Sequence, residues 1–247
     1  MTLWGKHIVV TGGGSGVGAE TAKVLALAGA SVTIIGRREA QLRAQSLPYQ
    51  ICDVTDSVAV AEAFDIARTR SGPITGVVAS AGAAESAPFQ RTGVDAFRSM
   101  IDVNLIGVVN VWQAALPDMK KAGWGRMIAI ASTAGLKGYS YVSAYCAAKH
   151  AVIGLTRALA QELATSGITV NAICPGFVDT PMLERSVEHI MAKTGMSREK
   201  ALQSLAAVNP QNRFVQPVEV AQTALWLCSE AATSVNGHAL ALSGGET

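Results

Sequence analysis

Tyr145 and Lys149 are the pair in this chain best placed to do chemistry together, because of their spacing. They fall in SAYCAAKHAVIGLTRALAQELA, a stretch with helical periodicity, and positions i and i+4 of a helix share a face. A phenol and an ammonium are thereby held side by side. A free phenol titrates at about pH 10. A fixed positive charge nearby favours the phenolate, so Lys149 is expected to draw Tyr145 down toward the working range of a general acid and base. Ser132 ends the apolar run MIAIAS, which reads as a buried strand. Its hydroxyl is expected at the strand's C-terminal edge, where open α/β sheets bind ligands. A Tyr–Lys pair at this spacing also arises by chance, with the Tyr half in a core and the Lys in water. The surrounding elements must therefore decide.

Composition bounds them. With 247 residues, 49% hydrophobic and 15% charged, the chain can bury a large core. The net charge is +2 and the basic residues are scattered, which argues against nucleic acid or an anionic membrane as principal partner. The opening MTLWGKHIVVTGG does not read as a signal peptide, and no apolar run approaches the ~18–20 residues of a membrane span. Cys52, Cys146, Cys174 and Cys228 are dispersed, apolar-flanked and without CxxC spacing. Buried free thiols in a reducing compartment are expected, with no metal site. No linker or charge block divides the chain, so one cytoplasmic domain over residues 1–247 is the expectation.

The N-terminal third reads as a nucleotide site. KHIVVT is a short β-branched run, GGGSGVG follows at once, and AETAKVLALAGA has helix periodicity up to Gly29. Small residues let the backbone approach a pyrophosphate, and free amides at a helix start attract its charge. Two spacings fit: Gly14, Gly16 and Ala19, or Gly12, Gly16 and Gly18 preceded by Thr11. The next strand, SVTIIG, ends in Gly36-Arg37-Arg38, opening a helix RREAQLRAQ. An acidic residue there would bind a ribose 2′-hydroxyl, whereas an arginine accommodates a 2′-phosphate. Gly36 with Arg37 behind it favours NADP(H) over NAD(H), and Glu39 keeps the second alternative open.

Strand YQICDV then leads to Asp53, and the helix in TDSVAVAEAFDIARTR has Thr55 or Asp56 as its N-cap. ITGVVASAG suits a central parallel strand covered on both faces. Asp95 to Lys121 reads as one long helix carrying Asn104 midway, with Pro117 bending or ending it. Asn104 lies in an apolar neighbourhood, so its amide must be hydrogen-bonded internally. The Tyr145 helix is expected to run to about Ser166, and strand GITVNAICPG to end at Pro175-Gly176. Residues 177–213 carry two short helices and lie at the ligand edge, as a substrate lid would. Gln216 to Ser229 is a last helix opening with Pro217, and HALALSGG a last strand.

In this order the residues resemble the classical short-chain dehydrogenase/reductase family over essentially the whole chain. Thr11-Gly12-Gly13-Gly14-Ser15-Gly16-Val17-Gly18 is similar to its cofactor glycine motif, which selects the second glycine spacing. Asp53-Val54 resembles its adenine pair. Asn104, Ser132, Tyr145 and Lys149 match its four catalytic positions. Pro175-Gly176 with Val178 and Thr180 resembles the segment that holds the nicotinamide carboxamide. Ser80-Ala81-Gly82 departs from the family's Asn-Ala-Gly, which puts in doubt a hydrogen bond supporting the sheet and the cofactor wall.

The resemblance implies an α/β fold: one Rossmann-like doubly wound domain, a seven-stranded parallel sheet with helices on both faces. It also implies a homo-oligomer, tetramer or dimer, in which Trp112 would face either the interface or the core. The implied activity is reversible hydride transfer between a nicotinamide and a carbonyl or secondary alcohol. In it Tyr145 passes the proton, Ser132 hydrogen-bonds the reacting oxygen, and Lys149 lowers the tyrosine pKa and binds the nicotinamide ribose. Asn104 holds a water leading from Lys149 to solvent.

Tyr139-Ser140-Tyr141 and Met182–Met196 suggest an apolar or aromatic pocket. Arg185, Lys193, Arg198 and Lys200 suit the phosphates of a coenzyme A or carrier-protein thioester, or else form a solvated helix face. A 3-oxoacyl/3-hydroxyacyl thioester is the expected substrate, and a cyclic or aromatic alcohol or ketone the alternative. A non-catalytic nucleotide-binding subunit or sensor is the remote one.

Overall fold

Seven parallel strands form one sheet in the computed structural model, which describes residues 2–247. They are β1 (His7–Thr11), β2 (Ser31–Gly36), β3 (Tyr49–Ile51), β4 (Gly76–Ala79), β5 (Gly125–Ile130), β6 (Ile168–Pro175) and β7 (Ala239–Leu242), in the order β3-β2-β1-β4-β5-β6-β7. The chain winds one way from β1 to β3 and the other way from β4 to β7. The crossovers therefore diverge between β1 and β4 and leave a crevice at the strands' C-terminal ends. Every residue of β1, β4 and β6 is buried, as strands covered on both faces require.

One face carries α3 (Ser57–Ser71), α5 (Gly107–Ala122) and α6 (Ser143–Glu162), and its core is built on Phe64, Trp112, Met119, Val152 and Ile153. Trp112 is core, not interface: its side chain is wholly inside the single chain. The other face carries α1 (Gly16–Leu27), α2 (Glu39–Arg43) and α9 (Pro217–Cys228), with Leu25, Leu42, Val220 and Leu227 buried against the sheet. Asp56 is the N-cap of α3, accepting from the amides of Val58 and Ala59.

The long helix expected from Asp95 to Lys121 is interrupted. It consists of α4 (Val94–Ile101), a π-helical turn (Asp102–Ile106) and α5. By length and composition Val94–Ala122 could cross a membrane, contrary to the reading of its sequence. In the fold, Val108, Val111, Ala115 and Met119 are buried in the core. Pro117 neither ends the helix nor breaks it off early. The helix runs on to Ala122 and stops at Gly123, whose φ of +60° is left-handed.

The lower edge of the sheet is closed by polar side chains. His7 is buried, with Nδ1 2.8 Å from the Gly72 carbonyl and Nε2 2.9 Å from the Thr33 hydroxyl. Since a carbonyl only accepts, Nδ1 carries the proton and Nε2 accepts from Thr33. Burial pushes the His7 pKa down. Arg126, on β5 with β4 between it and His7, is buried as well, donating to the Gly125 carbonyl at 2.8 Å with its guanidinium 4.3 Å from the Trp124 ring centroid.

At the upper edge α7 (Pro181–Thr194) and α8 (Arg198–Ala206) form a separate unit around Leu183, Val187 and Ala201, where two short helices were expected. All four cysteines are free and buried, and burial pushes the thiols of Cys52 and Cys174 up to about 11 and Cys228 to about 12.

Candidate active site

A cleft of about 620 Å³ opens along the upper edge, from the glycine turn after β1 to the start of α6. The turn has the tight form that the Gly12, Gly16, Gly18 spacing demands. Gly12 and Gly16 have φ of +66° and +56°, and a Cβ on Gly18 would sit 2.4 Å from the Gly12 carbonyl oxygen. Ser15 caps α1 with extended backbone and no side-chain cap bond, so the amides of the first turn are left without a partner from it. Gly12, Gly14, Ser15, Gly16, Val17 and Gly18 all line the cleft. Thr11 does not. It is buried, and its hydroxyl accepts from the amides of Ser80 and Ala81 at 3.1 and 3.0 Å. Thr11 therefore supports the wall instead of touching a ligand. The link between β1 and the end of β4 comes from backbone amides, so Ser80 in place of asparagine does not abolish it.

Arg37, Arg38, Asp53 and Val54 line the far end of the cleft. Arg37 reaches Asp53 at 3.5 Å, with 69% and 41% of the two side chains exposed, so the pair is loose. Hydrogen bonds from Thr55, first its amide and then its hydroxyl, hold the Asp53 carboxyl below its usual range, with Arg37 adding to them. Glu39 is turned to Tyr49, whose hydroxyl donates to it at 3.1 Å.

Ser132 lies two residues beyond β5 and caps a 3₁₀ turn, Thr133–Gly135, accepting from the Ala134 amide at 3.1 Å. The turn is pressed against α6, since a Cβ on Gly135 would come within 2.7 Å of the Lys149 carbonyl oxygen. That approach brings Ser132 alongside Tyr145, near enough for its hydroxyl to favour the ionised phenol. Lys149 is buried, and its Nζ donates to the Ile130 carbonyl at 2.9 Å and lies 5.7 Å from the Tyr145 ring centroid. An ammonium has three N–H donors, and only one is taken here.

The electrostatics correct the first expectation. Burial pushes the Tyr145 phenol up to about 12, with the Ser132 hydroxyl pulling the other way, and pushes Lys149 down to about 8. Desolvation sets the direction of both shifts. At neutral pH Tyr145 is a protonated acid next to a lysine that still carries its charge.

Asn104, in the π turn, is buried with both N–H donors engaged. Nδ2 donates to the carbonyls of Ala83 (2.9 Å) and Met100 (3.0 Å), and Oδ1 accepts from the Ala83 amide (3.3 Å). Its amide thus pins the loop after β4, and Oδ1 keeps one lone pair that can accept from a water on the way to Lys149. Gly82 separates the two, as a Cβ there would meet Asn104 Oδ1 at 2.8 Å and Lys149 Nζ at 3.7 Å. Ala81 and Gly82 line the cleft from this side, and Pro175, Gly176, Val178 and Thr180 from the end of β6.

Tyr139, Ser140, Met182 and Arg185 line the cleft, whereas Tyr141 is exposed outside it and no residue of the Met182–Met196 stretch beyond Ser186 reaches it. Of the other lid cations, Arg198 is held by Glu184 at 2.7 Å, while Lys193 and Lys200 are exposed away from the cleft lining. Sequence reasoning missed the loop 83–86, which lines the cleft, and Glu246, which bonds to Tyr139. Neither carries a motif, because both are placed by contacts distant in sequence.

Residues 6–191 match the short chain dehydrogenase family. The chain is similar to D-beta-hydroxybutyrate dehydrogenase of Cupriavidus necator, at 34% identity over 98% of both chains. It is also similar to cis-4-hydroxycyclohexanecarboxylate dehydrogenase of Sinomonas cyclohexanicum, at 38% identity over 97% of this chain and 95% of that one. Among solved structures, an actinorhodin polyketide ketoreductase with NADPH superimposes with a TM-score of 0.95 at 34% identity, covering 100% of this chain and 99% of the other.

Proposed function

The chain belongs to the short chain dehydrogenase family, an oxidoreductase acting on secondary alcohols and ketones, and within that class we propose an NADP(H)-preferring enzyme for compact, ring-sized or short-chain substrates. The observation that carries the activity is the convergence of Ser132, Tyr145 and a buried Lys149 with unfilled donors on one cleft.

The cleft fits a dinucleotide. Its glycine turn has no room for side chains, its helix start leaves amides open, and the two spare Lys149 donors suit ribose hydroxyls. When bound, the nicotinamide gives or takes the hydride. In the direction of reduction, Tyr145, protonated at neutral pH, gives its proton to the carbonyl oxygen while Ser132 donates a hydrogen bond to the same oxygen. Lys149, charged below about pH 8, stabilises the tyrosinate left behind. Asn104 acts by position, fixing Ala83 and with it the wall opposite Lys149.

Support for NADP(H) comes from Gly36, from two arginines at the cleft's far end, and from Glu39 being occupied with Tyr49. The loose Arg37–Asp53 pair leaves Arg37 available to a 2′-phosphate. Support for a compact substrate comes from the lid. Of its five lysines and arginines only Arg185 lines the cleft, where several would be needed to hold coenzyme A phosphates, and one arginine suits a single carboxylate. The 3-oxoacyl thioester is the second reading, favoured by the full-length match to a polyketide ketoreductase.

Initial rates at about 340 nm with NADPH and NADH separately, over cyclic ketones, oxo acids and acyl thioesters, test all three points. A preference for NADPH that Arg37→Glu reduces by about tenfold or more, and turnover of ring ketones above thioesters, are the expected results. Silence across the panel despite coenzyme binding would leave a binding protein on the same fold.

A further inference from the structure

We infer that Glu246 is a positioning residue for the substrate side of the site, holding Tyr139 as a fixed wall of the carbonyl pocket; this rests on the ketone-reductase reading above. Glu246 follows the last strand by four residues, yet its side chain is only 4% exposed. Its carboxylate meets Lys137 Nζ at 2.8 Å and takes a hydrogen bond from the Tyr139 hydroxyl. Tyr139 lines the cleft, and its hydroxyl also lies 2.7 Å from the Thr133 hydroxyl, next to Ser132. A phenol has one proton and a carboxylate none, so that proton goes to Glu246 and Thr133 supplies its own to the phenol oxygen. The other carboxylate oxygen sits against Gly176, 3.5 Å from where a Cβ would stand.

Lys137, Tyr139 and Thr133 all belong to the segment that joins Ser132 to Tyr145. That segment is clamped from its other side as well. Tyr141 holds a left-handed φ of +69° although its ring is exposed, and its carbonyl accepts from the Ala87 amide at 2.8 Å. A bulky residue keeps such a conformation only where its surroundings impose it. Among the described residues Glu246 is the carboxylate bonded to this segment, and its second oxygen lies by Gly176 in the β6–lid connection, the other side of the pocket. Loss of the carboxylate should therefore let Tyr139 drift, changing how a ketone is seated more than how a proton is passed.

The test uses the full chain with the variants Glu246→Gln, Glu246→Ala, Tyr139→Phe and the double Glu246→Ala/Tyr139→Phe. The probes are cyclohexanone and 4-oxocyclohexanecarboxylate with NADPH, together with NADPH binding by fluorescence and amide exchange of residues 137–142. Glu246→Ala is expected to raise KM about tenfold, with kcat within about threefold and NADPH affinity unchanged. Residues 137–142 should exchange faster, Glu246→Gln should fall between it and the parent, and the double variant should be no worse than Glu246→Ala. Parental KM and parental exchange in Glu246→Ala, or losses that simply add in the double variant, would overturn the inference. Should the parent reduce neither ketone, the functional reading fails on its own. Exchange at 137–142 then decides, with protection kept counting against Glu246 and protection lost counting for it. Where Glu246→Ala does not fold, the isosteric Glu246→Gln carries the same measurements.

Discussion

The two edges of the sheet bury their titratable side chains differently. At the lower edge the imidazole of His7 has a partner for each nitrogen, and Arg126 gives Nη1 to the carbonyls of Gly125 and Gly167 and lies over the Trp124 ring, with its Nε left without a partner. At the upper edge Lys149 is as deeply buried, yet makes a single hydrogen bond, to Ile130. Burying a charge with donors unmet costs stability, so the upper edge is held in a state that only a ligand completes. His7 is fully partnered at one end of the sheet, and Lys149 is open at the other.

The largest break in that contrast is at the proton donor. Tyr145→Phe should lower kcat about a thousandfold or more while coenzyme affinity stays near its parental value, measured by steady-state rates and binding titration. Lys149→Met should lower kcat/KM about a hundredfold, and yet raise the melting temperature at pH 7 by roughly 3 °C, because the desolvated ammonium is gone. The sign follows from the depressed pKa of Lys149. Between about 8 and 10.5 the unfolded chain holds a proton that the folded one has lost, so the parent gains stability as pH rises through that window. The variant's advantage should accordingly shrink across it, and a constant advantage would show that the lysine is not desolvated.

The lower edge should behave in reverse. His7→Leu strands the Gly72 carbonyl and the Thr33 hydroxyl and should cost about 1–3 kcal/mol in denaturant unfolding at pH 7.5, with kcat unchanged. Because burial lowers the His7 pKa from 6.5, the parent loses stability as pH falls below 6.5. The variant should lack that part of the acid sensitivity. The smallest effect belongs to the exposed Arg213–Glu219 pair behind the lid, at 2.7 Å. The hydrogen bond from Arg213 holds Glu219 down to about 2, so whatever the pair contributes is present above 4.5 and lost as pH falls toward 2. Glu219→Gln should lower the melting temperature slightly at pH 7 and not at all near pH 2.

What the sequence could announce was local. The glycine turn, the Asp56 cap and the Tyr145–Lys149 spacing each depend on neighbours a few residues away, and each stands where its pattern implied. Two spacings of the glycines fitted equally from residues alone, and the approach of Gly18 to the Gly12 carbonyl explains the physical choice. Pro117 does not end its helix, because a helix that is packed along its length tolerates one missing donor. The direction of the Tyr145 shift misled because burial is a property of the whole surround, not of spacing. Thr11 was placed on the ligand because it adjoins the glycines, whereas its hydroxyl serves residues about 70 positions away.

The buried thiols have a practical side. Cysteines that titrate as high as Cys52, Cys174 and Cys228 offer almost no thiolate at neutral pH, and Cys146 is buried too. A cysteine introduced at the exposed Lys193 would thus be the site a maleimide dye finds first. The surroundings of α7 and α8 with and without coenzyme could then be compared by fluorescence in an otherwise unaltered chain.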